Sequence, residues 1–136
     1  MATIAESIIA AVVAVSCVSL AYAQDLEPKS RQEFKRADLT GEAATSMEVV
    51  LSTAEYQPGD FVARHIHHGV EAFYVIQGAM IEFPDGKQGE LKTGTGSLNL
   101  RDVPHAGFKV IGNIPLKLVT VHVVDKGKPL YDAPPK

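Results

Sequence analysis

Three of the five histidines in this sequence fall within four positions, and such clustering points to a shared chemical role. They are His65, His67 and His68, and a carboxylate, Glu71, follows closely. Residues two apart on a strand point to the same face, so His65 and His67 present two imidazoles side by side. A next segment that folds back in register brings Glu71 to that face. Two imidazoles and a carboxylate around one point predict a site for a divalent transition metal.

The third imidazole of this site is predicted to be His105. The turn that contains His105 follows a predicted strand over residues 97–101, and this strand can bring the ring back toward the other two imidazoles. His68 and His122 do not fit the ligand spacing, and we interpret both as surface or hydrogen-bonded residues. Three imidazoles and one carboxylate on a six-coordinate metal leave positions open for water, dioxygen or a chelating substrate.

The elements that position these residues are predicted to be strands. From residue 47 onward, short apolar segments alternate with turn residues, as is typical of an antiparallel β domain of about eight strands. Segments 47–56, 60–67 and 115–124 are predicted strands. No part of the chain after residue 23 combines a sustained 3.6-residue apolar period with helix caps, so helical folds are not predicted.

The predicted architecture is therefore an all-β barrel, because closure removes the exposed sheet edges that promote aggregation. Phe73, Val75 and Met80 are predicted to line its interior. Arg64 and Arg101 are interpreted as solvated charges that alternate away from the ligand face. The last strand is apolar on both sides, and the side that does not fill the barrel needs cover. This pattern predicts a homodimer, with an N-terminal arm as the alternative cover.

The first 23 residues are predicted to be a cleavable signal peptide. Residues 8–20 are almost continuously apolar, and Ala21-Tyr22-Ala23 has the small-x-small pattern of a signal peptidase site. The apolar run is shorter than the roughly 20 residues that span a bilayer, which disfavours a membrane anchor. Glu6 and the absence of a basic residue before the run depart from the usual signal pattern. We expect a periplasmic or secreted protein.

The chain divides into four predicted parts, which are the signal peptide (1–23), a charged N-terminal arm (24–46), the β-barrel domain (47–129) and an extended tail (130–136). Cys17, the only cysteine, lies in the first part, so the mature protein has no thiol for a disulfide or a metal. The net charge of −3, without basic runs, disfavours nucleic acid and, after signal cleavage, membrane as partners. A small molecule is the predicted partner.

The spacing of the candidate ligands resembles the first cupin motif, G-x5-H-x-H-x3-E-x6-G. All five fixed positions are matched, by Gly59, His65, His67, Glu71 and Gly78. The resemblance covers residues 47–129 and implies a cupin fold, which is a jelly-roll-like double-stranded β-helix barrel. It also implies that the two motif glycines serve turns.

The second cupin motif, G-x5-P-x-G-x2-H-x3-N, is matched in part. Gly94 and His105 have the right spacing, whereas the usual Pro, Gly and Asn are replaced by Leu100, Asp102 and Lys109. The resemblance implies a metal bound by four residues, namely His65, His67, Glu71 and His105.

Such a metal keeps a net positive charge, so it can polarise a bound carbonyl or enol and lower the pKa of a bound water. The leading prediction is a dioxygenase-like metalloenzyme that acts on a small oxygen-rich molecule with Fe, or with Mn, Ni, Cu or Zn. Glu71 could serve as a base as well as a ligand, as the resemblance to flavonol-cleaving cupins suggests. Two alternatives stay open: a non-redox lyase, isomerase or decarboxylase of a carboxylated or sugar-derived compound, and a non-enzymatic ligand-binding barrel.

Overall fold

The structure, a computed structural model, describes residues 26–43 and 45–136. The predicted signal peptide lies outside these residues. Within them, no helix is long and apolar enough to cross a membrane. The described residues form nine strands: β1 (Ser30–Asp38), β2 (Met47–Tyr56), β3 (Phe61–Val62), β4 (Gly69–Gln77), β5 (Ala79–Glu82), β6 (Gln88–Leu91), β7 (Gly96–Asn99), β8 (Phe108–Ile111) and β9 (Leu116–Asp125). One short 3-10 turn, Gly41–Ala43, lies between β1 and β2.

The strands form two antiparallel sheets, which confirms the prediction of an all-β fold. The larger sheet has the order β1-β2-β9-β4-β7, and the smaller has the order β3-β8-β5-β6. Neighbours that are distant in sequence, such as β2 and β9, pair along ten residues each. The sheets pack against each other through one core cluster, to which β2 contributes Ala54 and Tyr56 and β8 contributes Val110.

The inner face of the larger sheet follows from the two-residue period of its strands. In β9, Leu116, Thr120, His122 and Val124 are buried, whereas the residues between them are only half-buried. The interior contains two apolar clusters. One surrounds Val75 and Leu116, and the other joins Val50 and Val124 to Leu130 and Tyr131 of the tail. A layer of polar side chains, described below, lies along the same inner faces.

Part of the predicted N-terminal arm forms a strand at the edge of the larger sheet. β1 pairs with β2 from Ser30 opposite Glu55 to Asp38 opposite Glu48, with one irregularity on the way. Eight of its nine residues are exposed, so backbone hydrogen bonds and ion pairs such as Arg36 with Glu48 hold it in place. β1 therefore extends the sheet at its edge.

Two predictions within the barrel differ from the structure. The predicted strand over residues 60–67 is regular only at Phe61–Val62, after which the chain stays extended through isolated backbone bridges at His65 and Ile66. Met80 was predicted to line the interior, but 42% of it is exposed, because the alternation of β5 turns Ala79 and Ile81 inward instead. The homodimer stays a prediction.

The two motif glycines have different physical roles. Gly59 adopts a φ of +95°, in the left-handed region that glycine enters without a steric penalty, in the turn before β3. At Gly78, a Cβ atom would lie 2.3 Å from the carbonyl oxygen of Leu91. Gly59 thus serves a turn, as predicted, whereas Gly78 allows two backbone segments to approach closely.

Candidate metal centre

A pair of backbone hydrogen bonds brings the two halves of the predicted site together. The amide of His65 donates to the carbonyl of His105 at 3.1 Å, and the amide of His105 donates back at 3.0 Å. The two imidazole rings consequently lie with their centroids 4.4 Å apart. His67, two residues further along the same extended segment, places its ring 4.8 Å from each of them.

The four predicted ligands converge within the barrel. Nε2 of His67 lies 3.2 Å from Oε2 of Glu71 and 3.1 Å from Nε2 of His105. The separation between His105 Nε2 and Glu71 Oε2 is 3.8 Å. Ligands bonded to one metal at about 2.1 Å lie roughly 3.0–3.4 Å apart in octahedral or tetrahedral geometry, so these distances are near those of a coordination shell.

The ring nitrogens on the far side of these histidines are anchored by backbone carbonyls. Nδ1 of His65 donates to the carbonyl of Ala63 at 2.8 Å, and Nδ1 of His105 donates to that of Val103 at 2.9 Å. Nδ1 of His67 donates to the carbonyl of Leu130 in the tail. A carbonyl can only accept, so each Nδ1 carries a proton and each ring directs its Nε2 inward, where the neutral form of the ring has a lone pair. Metal-binding histidines are commonly oriented in this way.

The charge states of the site suit a cation. Burial lowers the pKa of His65 to about 4 and also lowers that of His105, which keeps both rings neutral at pH 7. Burial works to raise the pKa of Glu71, but its contacts with His67, His122 and Asn99 outweigh burial and hold the pKa at about 2. Lone pairs of neutral imidazoles and an ionised carboxylate therefore face one another, which is unfavourable unless a cation lies between them. The donor set fits a divalent transition metal.

Sequence reasoning missed His122. This residue is fully buried on β9, directly opposite Glu71 of β4, with Nε2 at 3.4 Å from Glu71 Oε1. Neither of its ring nitrogens has a hydrogen-bond partner among the described residues, so it is neither a surface residue nor a hydrogen-bonded one, contrary to expectation. The candidate ligand atoms thus form two overlapping groups, His65–His67–His105 and His67–Glu71–His122. Alternation along β9, which puts His122 on the face of Thr120, was the available signal.

Asn99 is a second residue that the sequence did not reveal. It lies at the end of β7 directly opposite Glu71, and its Nδ2 donates to Oε2 of Glu71 at 2.7 Å. This contact holds the carboxylate on the wall of the barrel. We call the five buried or half-buried residues His65, His67, Glu71, His105 and His122 the donor layer.

The turn before His105 contains a residue other than glycine in the left-handed region. Asp102, which stands where the motif has glycine, adopts a φ of +56°. Aspartate tolerates this left-handed conformation better than most residues do. Its carboxylate lies 3.1 Å from Nδ1 of His68. Asp102 therefore occupies a left-handed turn position and also contacts His68.

A second polar cluster lies outside the barrel next to the donor layer. His68 is held between Asp102 and Asp132, the latter at 3.0 Å from its Nε2. Beside it, Arg101 forms two hydrogen bonds of 2.9 Å with the carboxylate of Asp125. We call these five residues the outer clasp. Arg101 was interpreted as a solvated charge, and its side chain is indeed partly exposed, although it is paired.

A cavity of about 230 Å³ opens beside the donor layer. His65, Glu71 and His105 lie on its wall together with Asn99 and the buried tyrosines Tyr56 and Tyr131. The remaining lining is apolar: Val62, Phe73, Ile81, Phe83, Leu91, Ala106, Phe108 and Leu118. No Lys or Arg is among these lining residues, so the described wall offers no cationic side chain to an anionic ligand.

Solved structures similar to this chain have low sequence identity with it. The polyketide cyclase RemF from Streptomyces resistomycificus is 24% identical over 75% of this chain and 76% of its own, with a TM-score of 0.48. An uncharacterized conserved protein with a double-stranded β-helix domain from Klebsiella pneumoniae is 20% identical over 84% and 95%, with a TM-score of 0.47. A cupin domain from Bordetella pertussis is 14% identical over 71% and 96%, with a TM-score of 0.43. A scan against protein-family models and a search of curated proteins found no match.

The chain's own topology and motif decide the fold. Two antiparallel sheets of five and four strands face each other, and the motif residues His65, His67 and Glu71 are buried between them. The protein has a cupin fold.

Proposed function

We propose that this protein is a metal-dependent, dioxygenase-like enzyme that acts on a small organic molecule. One observation carries the proposal: two imidazole lone pairs and a carboxylate oxygen converge within 3.8 Å at the wall of an apolar cavity. His65, His67, Glu71 and His105 would hold the metal. We propose Fe(II), because histidines and one carboxylate with open positions are typical of non-haem iron oxygenases.

Iron bound here would supply a Lewis acid for an enol, phenol or carbonyl oxygen and a centre that reacts with dioxygen. The chain's own residues set the conditions. Glu71 contributes the single negative charge among the four ligands, so a divalent site keeps a net charge of about +1 that attracts an anionic oxygen. Glu71 lies on the cavity wall, and its carboxylate would accept the proton that a substrate hydroxyl loses on binding.

The cavity supports a particular kind of substrate. Its apolar side chains, such as Phe73, Phe108 and Leu118, would contact a hydrocarbon body, while the oxygen-bearing end lies near Glu71 and Asn99. A sugar-derived compound presents hydroxyls on all sides, and this lining has too few polar side chains to pair with them. We therefore propose a small phenol, enol or β-dicarbonyl compound as substrate.

A dioxygenase reaction also agrees with the lack of a recognisable nucleotide-binding motif in the sequence. Both atoms of dioxygen enter the product, and the substrate itself supplies the electrons. No external reductant or nicotinamide cofactor is needed. We retain export to the periplasm or beyond as part of the proposal, because such a reaction requires only the metal, the substrate and dioxygen.

The first experiment measures metal content and then oxygen uptake. The protein is purified without added metal and compared with a His65→Ala/His105→Ala variant and with His68→Ala, a matched control that removes a neighbouring imidazole outside the donor layer. We expect near one equivalent of metal in the wild type and in the control, and none in the double variant. The Fe(II)-loaded protein is then tested for oxygen uptake with catechol, acetylacetone and a small flavonol.

Each outcome distinguishes one function from another. Oxygen uptake that depends on both metal and substrate supports the proposal. Turnover without oxygen uptake supports the non-redox alternative, in which the metal is only a Lewis acid. A metal-loaded protein that binds these compounds without converting them is a binding barrel, and a wild type that cannot be loaded contradicts the metal site itself.

A further inference from the structure

His122 has a place in the site that the four-ligand pattern does not assign. It is one of the largest fully buried side chains of the described residues, yet both of its ring nitrogens lack a hydrogen-bond partner there. An unpaired buried polar group costs about 1–3 kcal/mol, so its presence on β9 calls for a functional reason.

The strand pairing directs His122 at one particular atom. Residues directly opposite each other in an antiparallel pair extend to the same face, and Glu71 and His122 form such a pair between β4 and β9. Nε2 of His122 lies 3.4 Å from Oε1 of Glu71, just beyond the usual hydrogen-bond range. The other oxygen, Oε2, is the one that faces His67, His105 and Asn99.

The tautomer of His122 follows from its surroundings. A neutral imidazole carries one ring proton, on either Nδ1 or Nε2. On Nδ1 that proton would meet no acceptor, whereas Nδ1 of His65, of His67 and of His105 each meets a backbone carbonyl. On Nε2 it points toward a carboxylate oxygen, which can only accept. His122 thus carries its ring proton on Nε2, whereas the three candidate ligands carry theirs on Nδ1.

We propose that His122 is a positioning residue that donates its Nε2–H to Oε1 of Glu71, so that only Oε2 is left to bind the metal. The consequence for the metal rests on the proposed function, but the hydrogen bond does not. A carboxylate that binds through one oxygen leaves a six-coordinate metal with three imidazoles two open positions, whereas binding through both oxygens leaves one. Two positions are what a substrate that chelates through two oxygens requires.

The hydrogen bond is tested on the metal-free wild-type protein by ¹⁵N NMR of its imidazoles near pH 7.5. We expect the proton of His122 on Nε2 and the protons of His65, His67 and His105 on Nδ1. A proton on Nδ1 of His122 overturns the proposal. This measurement decides the inference even if the wild type binds no metal, which would contradict the proposed function alone.

The positioning role is tested with Co²⁺ as the probe metal. His122→Leu removes the donor, His122→Gln keeps an N–H near the position of Nε2, and Thr120→Val is the control, a buried polar group two residues away on the same face of β9. We expect about 10–100-fold weaker Co²⁺ binding and an altered visible spectrum for His122→Leu, and restoration to within about threefold of wild type by His122→Gln. X-ray absorption should count the same number of imidazoles in all four proteins.

Two results overturn this role. If the Co²⁺ affinity and visible spectrum of His122→Leu equal those of Thr120→Val, His122 does not position Glu71. One imidazole fewer around Co²⁺ in His122→Leu means that His122 is a ligand rather than a positioning residue.

Discussion

The donor layer and the outer clasp lie on the two sides of the same chain segment, yet their polar groups are arranged in opposite ways. In the clasp the polar groups pair with one another: His68 lies within hydrogen-bond distance of two aspartates, and Arg101 forms a double hydrogen bond with Asp125. In the donor layer, lone pairs of His67 and His105 face each other at 3.1 Å beside an ionised Glu71. The groups of the clasp pair with one another, whereas we propose that those of the donor layer pair with a cation.

This difference separates structural histidines from functional ones better than residue type does. His67 and His68 are adjacent in sequence and are both near a carboxylate, but only His67 has its Nδ1 on a backbone carbonyl and its Nε2 in a cluster of lone pairs. A polar group that is hydrogen-bonded within the protein stabilises the fold. A buried polar group without a hydrogen-bond partner suggests that an ion or a ligand pairs with it.

The largest effect should come from His67→Leu, because His67 belongs to both groups of candidate ligand atoms. We expect Co²⁺ binding to weaken by more than about 100-fold, since even changes to the outer hydrogen-bond partners of metal sites weaken binding about 10–100-fold. Isothermal titration calorimetry measures the affinity. His68→Leu, which replaces the neighbouring imidazole of the clasp, is the control. Equal losses of Co²⁺ affinity in the two variants would contradict the distinction between the donor layer and the outer clasp.

Acid should weaken the metal-free protein through the donor layer. Burial lowers the pKa of both His65 and His122 from 6.5 to about 4, so between these values the unfolded chain binds protons that the folded chain does not. The stability gained from these groups is therefore present above pH 6.5 and is lost as the pH falls toward 4. We expect the free energy of unfolding to drop by about 2 kcal/mol per histidine between pH 7 and 4.5.

Urea denaturation at the two pH values measures this drop. His122→Leu should show a smaller drop than the wild type, because one of the two histidines is gone. An unchanged urea midpoint in the wild type would mean that the buried rings accept protons without difficulty, contrary to their interpretation as neutral donors.

His68→Leu should have a moderate effect on the fold and little effect on metal binding. The substitution leaves the partly exposed carboxylates of Asp102 and Asp132 without their shared partner, so we expect the protein to lose about 1 kcal/mol of unfolding free energy. The Co²⁺ dissociation constant should stay within about threefold of wild type. A more than tenfold weaker affinity would make the clasp part of the metal site.

Arg101→Gln should have the smallest effect. The ion pair between Arg101 and Asp125 has side-chain exposures of 42% and 37%, and exposed pairs contribute about 0–1 kcal/mol even with good geometry. Thermal unfolding at low and at high salt measures its contribution. A loss above about 2 kcal/mol that salt does not reduce would show that the clasp stabilises the fold in a way other than surface ion pairing.

Much of the arrangement of the candidate site follows from local sequence. His65, His67 and Glu71 are close in the chain, so strand alternation and one turn suffice to predict a shared face. Alternation along β9 could have placed His122 on the inner face, but its position opposite Glu71 depends on which strand β9 pairs with, and two-residue periodicity carries no information about strand order. Asn99 was missed for the same reason.

The strands, too, were predictable where the signal is local and were missed where it depends on pairing with another strand. Segment 47–56 was predicted with its observed ends because its apolar residues alternate and a turn follows. β1 was not recognised as a strand, since its residues are charged and exposed and its register comes from the edge of β2. Backbone pairing without apolar burial leaves no periodic signal in the sequence.

The carbonyl of Leu130 that anchors His67 lies 63 positions further along the chain, and His67 and His105 are 38 positions apart. Contacts between such distant segments form slowly, because the chain must close long loops before it gains their energy. A metal therefore meets a finished set of donors only at the end of folding. Bound metal should slow the unfolding of the completed barrel without speeding its formation. The ion would thus stabilise the native state kinetically, after folding is complete.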